Sequence, residues 1–486
     1  MNEELLGLKP EKIWKNFKSL CDIPRPSKKE EQAMAFVKKF GEDLGLETIV
    51  DETGNVIIRK PATKGMEDRK GVIMQGHLDM VPQKNSDTSH DFEKDPIQAY
   101  VDGEWVTAKG TTLGADNGIG VAAALAVLES TDLEHGPIEA LFTIDEETGM
   151  TGAFGLKPGV LQGDILINMD SEDEGELYVG CAGGMDANVK IPYQEIAVPD
   201  DSVAYNVSVT GLKGGHSGMD IILGRGNSNK LLVRFLRYTA IKLGLKVSSF
   251  EGGSLRNAIP REAFSTVVVP AEMEDQFLSA VKEYQNIFSH ELSGTEPDLK
   301  LQAKKTEMPE SVLDADAQKN LLNGVYGCPN GVMRMSDSIP GLVETSTNLA
   351  VVKTENGVAQ VLSLMRSSVD TAKEDLANMI ESVFELGGAE VTFEGAYPGW
   401  KPNPDSAILK EMKSVYQNKF GKIPEIKAIH AGLECGLLGG VYPNLDMISF
   451  GPTIRFPHSP DEKVNIETVQ KFWDFLVETL KSIPKK

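Results

Sequence analysis

G-V-I-M-Q-G-H-L-D-M-V, residues 71 to 81, runs an apolar stretch into a histidine and, two positions on, an aspartate. Val72, Ile73 and Met74 read as a buried strand, and His77 and Asp79 then lie at its carboxyl end, on one side of an extended chain. The arrangement repeats. Ile138 to Ile144 leads into Glu146 and Glu147 of I-D-E-E-T-G (144–149), and Ile165 to Met169 leads into Asp170 of I-N-M-D-S (167–171). In an open α/β sheet the carboxyl ends of the strands form the rim where ligands bind, so residues distant in sequence can meet there. The fold class expected is α/β, with a central mixed sheet flanked by helices.

Two further motifs complete the set. L-G-A-D-N-G-I-G (113–120) puts Asp116 at the start of an Ala-rich helix running to about Glu129, where the helix dipole favours a carboxylate, and F-P-H-S-P-D-E (456–462) supplies His458. Each piece alone has an ordinary reading: Asp116 can be a helix cap, and His458 can sit in a loop before a helical turn started by Pro460. On a regular strand Glu146 and Glu147 would face opposite ways; both can face one site only if the chain bends, which Thr148-Gly149 permits. In this order together, they have the types needed to hold two divalent ions and activate a water between them. Neutral imidazoles bind Zn²⁺ or similar ions, and carboxylates neutralise and can bridge them. Contact with such an ion drops the pKa of water from 15.7 to roughly 7. His77 and Asp170 are assigned to one metal, Glu147 and His458 to the other, and Asp116 to the bridge. Glu146 is the base that takes the water's proton and returns it to the leaving amine, and Asp79 orients the His77 ring. Zn²⁺ is the ion expected, with Co²⁺ or Mn²⁺ as alternatives for the same donors.

The chain has 486 residues, enough for roughly three domains, or two with one of them large. Hydrophobic (41%) and charged (25%) fractions are those of a globular protein. With 49 basic and 72 acidic residues the net charge is -23, which repels phosphate backbones and anionic lipid and argues against nucleic-acid and membrane partners. No apolar run approaches the roughly 20 residues of a membrane span, and M-N-E-E-L-L-G-L-K-P lacks the basic start of a secretory signal, so a cytoplasmic location is expected. Cys21, Cys181, Cys328 and Cys435 are too scattered for a disulfide framework or a thiolate zinc site and are expected to be reduced and buried.

Ile13, Trp14, Phe17 and Leu20 mark a first helix from about Pro10. Ser27 followed by Glu30 reads as a capping box opening a second. Asp102-Gly103 marks a hairpin. From about residue 188 to 396 the chain reads as strand and helix units without further residues of the metal-binding type, including a β-α-β run over Val358 to Phe393; the strand from Asp446 and a last amphipathic helix follow. The expected organisation is a catalytic domain formed by 1–187 and 397–486, with an α+β lid inserted at 188–396.

The order H-x-D, D-N-G, E-E-T-G, M-D, H-S-P-D-E resembles the dinuclear zinc peptidases that include peptidase T, carboxypeptidase G and carnosinase, over nearly the whole chain. H-L-D-M-V-P-Q-K, C-A-G-G and G-L-K-G-G-H-S-G, together with the length of the lid, resemble the dipeptide-cutting branch. The resemblance implies a zinc-peptidase-like catalytic domain and a metallo-dipeptidase acting on unblocked dipeptides, Xaa-His and carnosine-like ones among them. It also implies roles in the insert: His216 of G-G-H-S-G stabilises the tetrahedral oxyanion, and Asn257 of L-R-N-A-I-P and Arg366 of L-M-R-S-S hold the substrate carboxylate, a task suited to the planar guanidinium fork. Gly432 of H-A-G-L-E-C-G makes a backbone contact to the peptide, and Glu434 meets its free amine. The partner is thus a small peptide; monomer and homodimer both stay open, as His216 can act in its own chain or a neighbour's. Two other readings stand beside this one: an amidohydrolase of N-acyl amino acids, and a non-catalytic metal-binding protein.

Overall fold

The apolar runs that precede the ligand-type residues form parallel neighbours at the centre of an eight-stranded mixed sheet. In a computed structural model describing residues 2–486, the order across that sheet is Glu47–Val50, Val56–Lys60, Ile138–Thr143, Val72–His77, Ile165–Asn168, Asp446–Ser449, Glu176–Cys181, Glu425–Ile429. Val72–His77 pairs parallel with both Ile138–Thr143 and Ile165–Asn168, and Asp446–Ser449 continues parallel beyond them. His77, Glu146 and Asp170 therefore emerge together at one end of adjacent strands. Strands buried on both faces need covering helices, which is why they read as near-continuous apolar runs. The helix Ala115–Glu129 is buried along nearly its whole length, packed against Glu11–Cys21 and the strand Val72–His77.

Contacts divide the chain into two units: Met1–Gly180 with Pro402–Ala428 and Leu433–Lys486, and Cys181–Lys401 with Ile429–Gly432. The cut lies several residues outside the 188 and 396 read from the sequence. Its cause is the strand Gly183–Pro192, which pairs along its length with Val358–Ser367 and with Glu390–Tyr397 and so belongs to the second sheet. That sheet has nine strands, in antiparallel pairs throughout. Helices Ser228–Leu243, Glu274–Glu291, Ala315–Gly327 and Asp370–Glu385 bury Phe235, Phe277, Leu321 and Phe384 in its core.

The capping box read at Ser27 and Glu30 does not form. The helix starts at Glu31 without a side-chain cap; Ser27 Oγ instead donates to Asp79 Oδ2 (2.8 Å), and Glu30 Oε1 accepts from the backbone N–H groups of Lys28 (2.8 Å) and Asp145 (3.1 Å). Both residues serve the neighbouring ligand loops rather than their own helix. All four cysteines are buried. Among the described residues no helix is long and apolar enough to cross a membrane.

Candidate metal centre and active site

The bend that lets Glu146 and Glu147 face one site falls earlier than the Thr148-Gly149 position read from the sequence. Asp145 adopts a left-handed conformation (φ 51°), and Glu146–Gly149 form a single helical turn. Asp79 fixes that turn: its Oδ1 accepts the Glu146 N–H (3.0 Å) and its Oδ2 the Glu147 N–H (3.2 Å). Asp145 is itself held by the hydroxyls of Thr148 and Thr151. Asp116 likewise leaves the helical conformation (φ −81°, ψ 110°) inside the first turn of its helix. The next residue, Asn117, donates to Met169 O (2.6 Å), tying the Asp116 segment to that of Asp170; glycine at 76 and 120 leaves room for its side chain, since a Cβ at either would lie 2.3 to 2.6 Å from Asn117 Oδ1.

All of the expected metal ligands lie together in the first unit. His77 Nε2 faces Asp116 Oδ1 at 3.2 Å and Asp170 Oδ1 at 3.3 Å; His458 Nε2 faces Asp116 Oδ2 at 3.2 Å and Glu147 Oε2 at 3.0 Å. Asp116 thus turns one oxygen to each imidazole. Behind His77, its Nδ1 lies 3.3 Å from Asp79 Oδ1. Two triads, His77/Asp116/Asp170 and Asp116/Glu147/His458, each bring their ligand atoms within 4.8 Å of one another.

The donor set fits a pair of cations on three grounds. A ring nitrogen offers one proton or one lone pair, yet each imidazole nitrogen here has two carboxylates around it. Tetrahedral coordination with bonds of about 2.0–2.1 Å separates ligand atoms by roughly 3.3 Å, close to the 3.0 to 3.3 Å spacings above. Glu147 Oε1 and Asp170 Oδ1 are buried and accept no hydrogen bond from the protein. The electrostatics agree. Burial pushes Asp170 up to about 7 and raises Glu146 well above the carboxylate range, while Asp116 and Glu147 raise His458 to about 11. Four carboxylates, Asp116, Glu146, Glu147 and Asp170, gathered with two imidazoles form a concentration of negative charge suited to dications.

Glu434 sits in a buried polar chain across the sheet. Its Oε2 accepts from Gln75 Nε2 (2.6 Å) and Thr143 Oγ1 (2.8 Å); Gln75 Oε1 accepts from Asn168, whose Oδ1 accepts from Ser449, and Ser449 meets Ser171 beside Asp170. Glu434 Oε1 is buried without a protein partner, and burial lifts its carboxyl to about 7. The polar residues Gln75, Asn168 and Ser449 were not singled out in the sequence, because they sit inside strands otherwise read as apolar.

In the second unit, His216 and Ser217 lie beside Arg366, whose Nε donates to Ser217 Oγ at 3.4 Å. Asn257 accepts the Ser217 N–H on its backbone carbonyl (2.8 Å), and its side chain is exposed. His216 Nδ1 accepts the N–H groups of Gly218 (3.2 Å) and Met219 (3.1 Å), so the ring proton resides on Nε2; burial and Arg366 depress its pKa. His430, the first residue of H-A-G-L-E-C-G and given no role in the sequence reading, is buried nearby and bonded through Nε2 to Ser346 Oγ (2.7 Å). Burial, Arg366 and His216 hold its pKa down at about 3. Gly432 closes the short segment 429–432 that belongs to this unit.

A mixed sheet bearing this ring of imidazoles and carboxylates on its strand ends defines a metallopeptidase class, and the chain belongs to peptidase family M20/M25/M40, whose model matches residues 73–482. It is 50% identical over 483 residues to the cytosol non-specific dipeptidase of Escherichia coli (strain K12), covering 99% of this chain and 100% of that one. The crystal structure of aminoacylhistidine dipeptidase from Vibrio alginolyticus superposes with a TM-score of 0.95 at 52% identity, covering 100% of this chain and 99% of that one. The aminopeptidase PepT from Bacillus cereus ATCC 10987 shares the fold, with a TM-score of 0.58 at 16% identity over 98% of this chain and 99% of that one.

Proposed function

We propose that this chain is a metal-dependent dipeptidase that hydrolyses unblocked dipeptides, Xaa-His and carnosine-like dipeptides included, in the cytoplasm. The observation that carries the reading is Asp116 lying 3.2 Å from each of two imidazoles, with one further carboxylate beside each. The names of the two full-length relatives support the dipeptide class and, for one of them, the cytosol. His77 and Asp170 would hold one ion, His458 and Glu147 the other, with Asp116 shared; Zn²⁺ suits this nitrogen and oxygen set, as do Co²⁺ and Mn²⁺. When bound, such ions supply a water acidic enough to ionise near neutral pH.

Glu146 would act as the general base towards a water in this site and return the proton to the nitrogen of the leaving amine; burial, with Asp170, Glu434 and Glu147 nearby, raises its proton affinity above that of an ordinary carboxylate. Asp79 holds the turn that aims Glu146 and the ring of His77. In the second unit, His216 carries its proton on Nε2 and stays neutral, which suits a donor to the carbonyl oxygen as charge develops there. Arg366 with Asn257 takes the substrate's terminal carboxylate, and Gly432 contacts the peptide backbone. Glu434, buried and one oxygen short of partners, receives the free amine.

The test is a panel of unblocked dipeptides set against N-acetyl amino acids, run on the parent and on Glu146→Ala. Turnover of dipeptides should fall at least ~10²-fold in the variant with its metal content intact. Equal turnover would reject the role of Glu146, and a preference for N-acetyl amino acids would reject the dipeptidase reading.

A further inference from the structure

Two fully buried, oppositely charged side chains outside the ligand set grip the chain segments that carry it. Arg25, 2% exposed, donates through Nη1 to Leu78 O (2.9 Å) and Asp79 O (3.0 Å), and through Nη2 to Gly114 O (2.5 Å). Glu462, also 2% exposed, accepts the backbone N–H groups of Leu113 (2.7 Å) and Gly114 (2.9 Å) on Oε2, and those of Ala115 (2.7 Å) and Asp116 (3.3 Å) on Oε1. The Gly114 residue is held from both sides, its N–H by the carboxylate and its C=O by the guanidinium. Space for the guanidinium comes from two glycines of the 113–120 motif: a Cβ at Gly114 would lie 2.6 Å, and at Gly118 2.7 Å, from Arg25 Nη2. Gly114 also needs its freedom at φ 71°.

The free N–H groups of a helix start are ordinarily satisfied by a local Ser, Thr, Asp or Asn. Here the acceptor comes from 346 residues further along the chain, in the loop that carries His458, and that loop is anchored by Thr107 Oγ1 donating to Glu462 O (2.8 Å). One carboxylate thereby links the His458 loop to the Asp116 segment, and one guanidinium links the Asp116 segment to the residues just after His77. The links join the three segments whose side chains meet at Asp116.

We propose that Arg25 and Glu462 are positioning residues for the paired-cation site: they set the spacing of the His77, Asp116 and His458 segments so that Asp116 presents one oxygen to each imidazole. The proposal rests on the metal-site reading above. Residues that orient metal ligands typically change metal affinity or activity 10–100-fold when altered. Glu462→Gln keeps the shape but turns an NH₂ group towards two backbone N–H groups; Arg25→Lys keeps the charge but loses the fork that reaches three carbonyls at once.

The experiment strips the full-length parent and both variants of metal, then titrates Zn²⁺ against a chromophoric chelator, with kcat and KM on a dipeptide and melting of the metal-free forms measured in parallel. Expected are two ions bound by the parent, affinity lower by 10–100-fold in either variant, and a fall in kcat with KM nearly unchanged. The use of two variants acting from opposite sides keeps the result decidable if one of them does not fold. Unchanged metal affinity in a folded variant overturns the proposal while leaving the site reading intact, even if the metal-free form melts lower. A parent that binds no ion overturns both.

Discussion

Replacing Asp79 with asparagine tests how the two successive glutamates come to share a site. The Asp79 carboxylate is wholly buried, and three donors point at it: the Glu146 N–H on Oδ1, and the Glu147 N–H and Ser27 hydroxyl on Oδ2, with His77 Nδ1 3.3 Å from Oδ1. An amide has one acceptor oxygen. Whichever way it turns, its NH₂ group faces either the Glu146 or the Glu147 N–H, and a buried donor left unpaired costs about 1–3 kcal/mol. The surviving bonds also lose their charge assistance, worth about 1 kcal/mol apiece. The sum is a destabilisation of about 3–5 kcal/mol, a large part of the usual 5–15 kcal/mol. The electrostatics of the native carboxyl point the same way. Burial pushes it up, but His77, Glu146 N–H and Ser27 outweigh that and hold it at about 2 against an ordinary 3.8. The corresponding stabilisation, about 2 kcal/mol, is present above pH 3.8 and lost as pH falls towards 2. Urea unfolding of the metal-free chain at pH 7, followed by tryptophan fluorescence, reads the effect, since Trp14, Trp105 and Trp473 all belong to the first unit. Chelator competition then reads metal affinity, expected 10–100-fold weaker because the His77 ring loses its orienting partner. A variant within about 0.5 kcal/mol of the parent and with unaltered affinity would show that the Asp79 carboxylate does not hold the Glu146–Glu147 turn.

Exhaustive chelation should abolish dipeptide hydrolysis, with two equivalents of Zn²⁺, Co²⁺ or Mn²⁺ per chain restoring it; activity that persists in verified metal-free protein contradicts the site assignment. Arg366→Lys should raise KM for dipeptides by roughly 10–100-fold through loss of a forked, charge-assisted pair worth about 1.5–3 kcal/mol, and a KM within a factor of two of the parent's in steady-state assays would count against it. His430 stays neutral in the fold down to about pH 3, whereas the unfolded chain protonates it near 6.5. Its stabilising contribution is complete above 6.5 and lost progressively as pH falls, so the parent should lose about 2 kcal/mol more than His430→Asn between pH 7 and pH 5 in urea titrations; equal losses would show that His430 is not the group responsible.

The parts of this fold written in short-range pattern were legible. Apolar runs leading to His77, Glu146 and Asp170 marked the adjacent parallel strands, and the residues at and just past their ends are those the fold gathers into the candidate site. Other parts depend on partners far along the chain and left no local pattern. Ser27 and Glu30 have the spacing of a cap, yet both bond into the ligand loops. Arg25 and Glu462 bond to backbone groups, which carry no residue identity to recognise. The strand Val343–Glu355 carries Glu344, Thr345, Ser346, Thr347 and Asn348 in succession, all buried, and such a polar run has no apolar strand pattern to recognise. It is a strand because its polar side chains find partners in the fold, Thr345 with Ser367, Ser346 with His430, and Asn348 with the carbonyls of Arg256 and Ala258.

Acidic side chains alone do not mark the site, because an all-carboxylate buried triad, Glu30, Asp79 and Asp145, is as tightly gathered as the three containing histidine, which are His77/Asp116/Asp170, Asp116/Glu147/His458 and the overlapping His77/Glu146/Glu147. Hydrogen bonding separates them. The oxygens of that triad accept from Lys28, Asp145, Glu146 and Glu147 N–H groups and from the Ser27, Thr148 and Thr151 hydroxyls. A cation there would have to displace those donors and free the very turn that carries Glu146 and Glu147. At the histidine-bearing triads the reverse holds: Glu147 Oε1 is buried with no donor, and Asp170 Oδ1 faces only the His77 Nε2 that also faces Asp116, an unfavourable condition for a carboxylate unless a cation fills it. Glu30, Asp79 and Glu462 commit their oxygens to the backbone N–H groups of the ligand loops, whereas Asp116, Glu147 and Asp170 face only the imidazoles and are the carboxylates proposed to take the ions. On the proposed site, that division leads us to expect two ions per chain and not a third at the all-carboxylate triad.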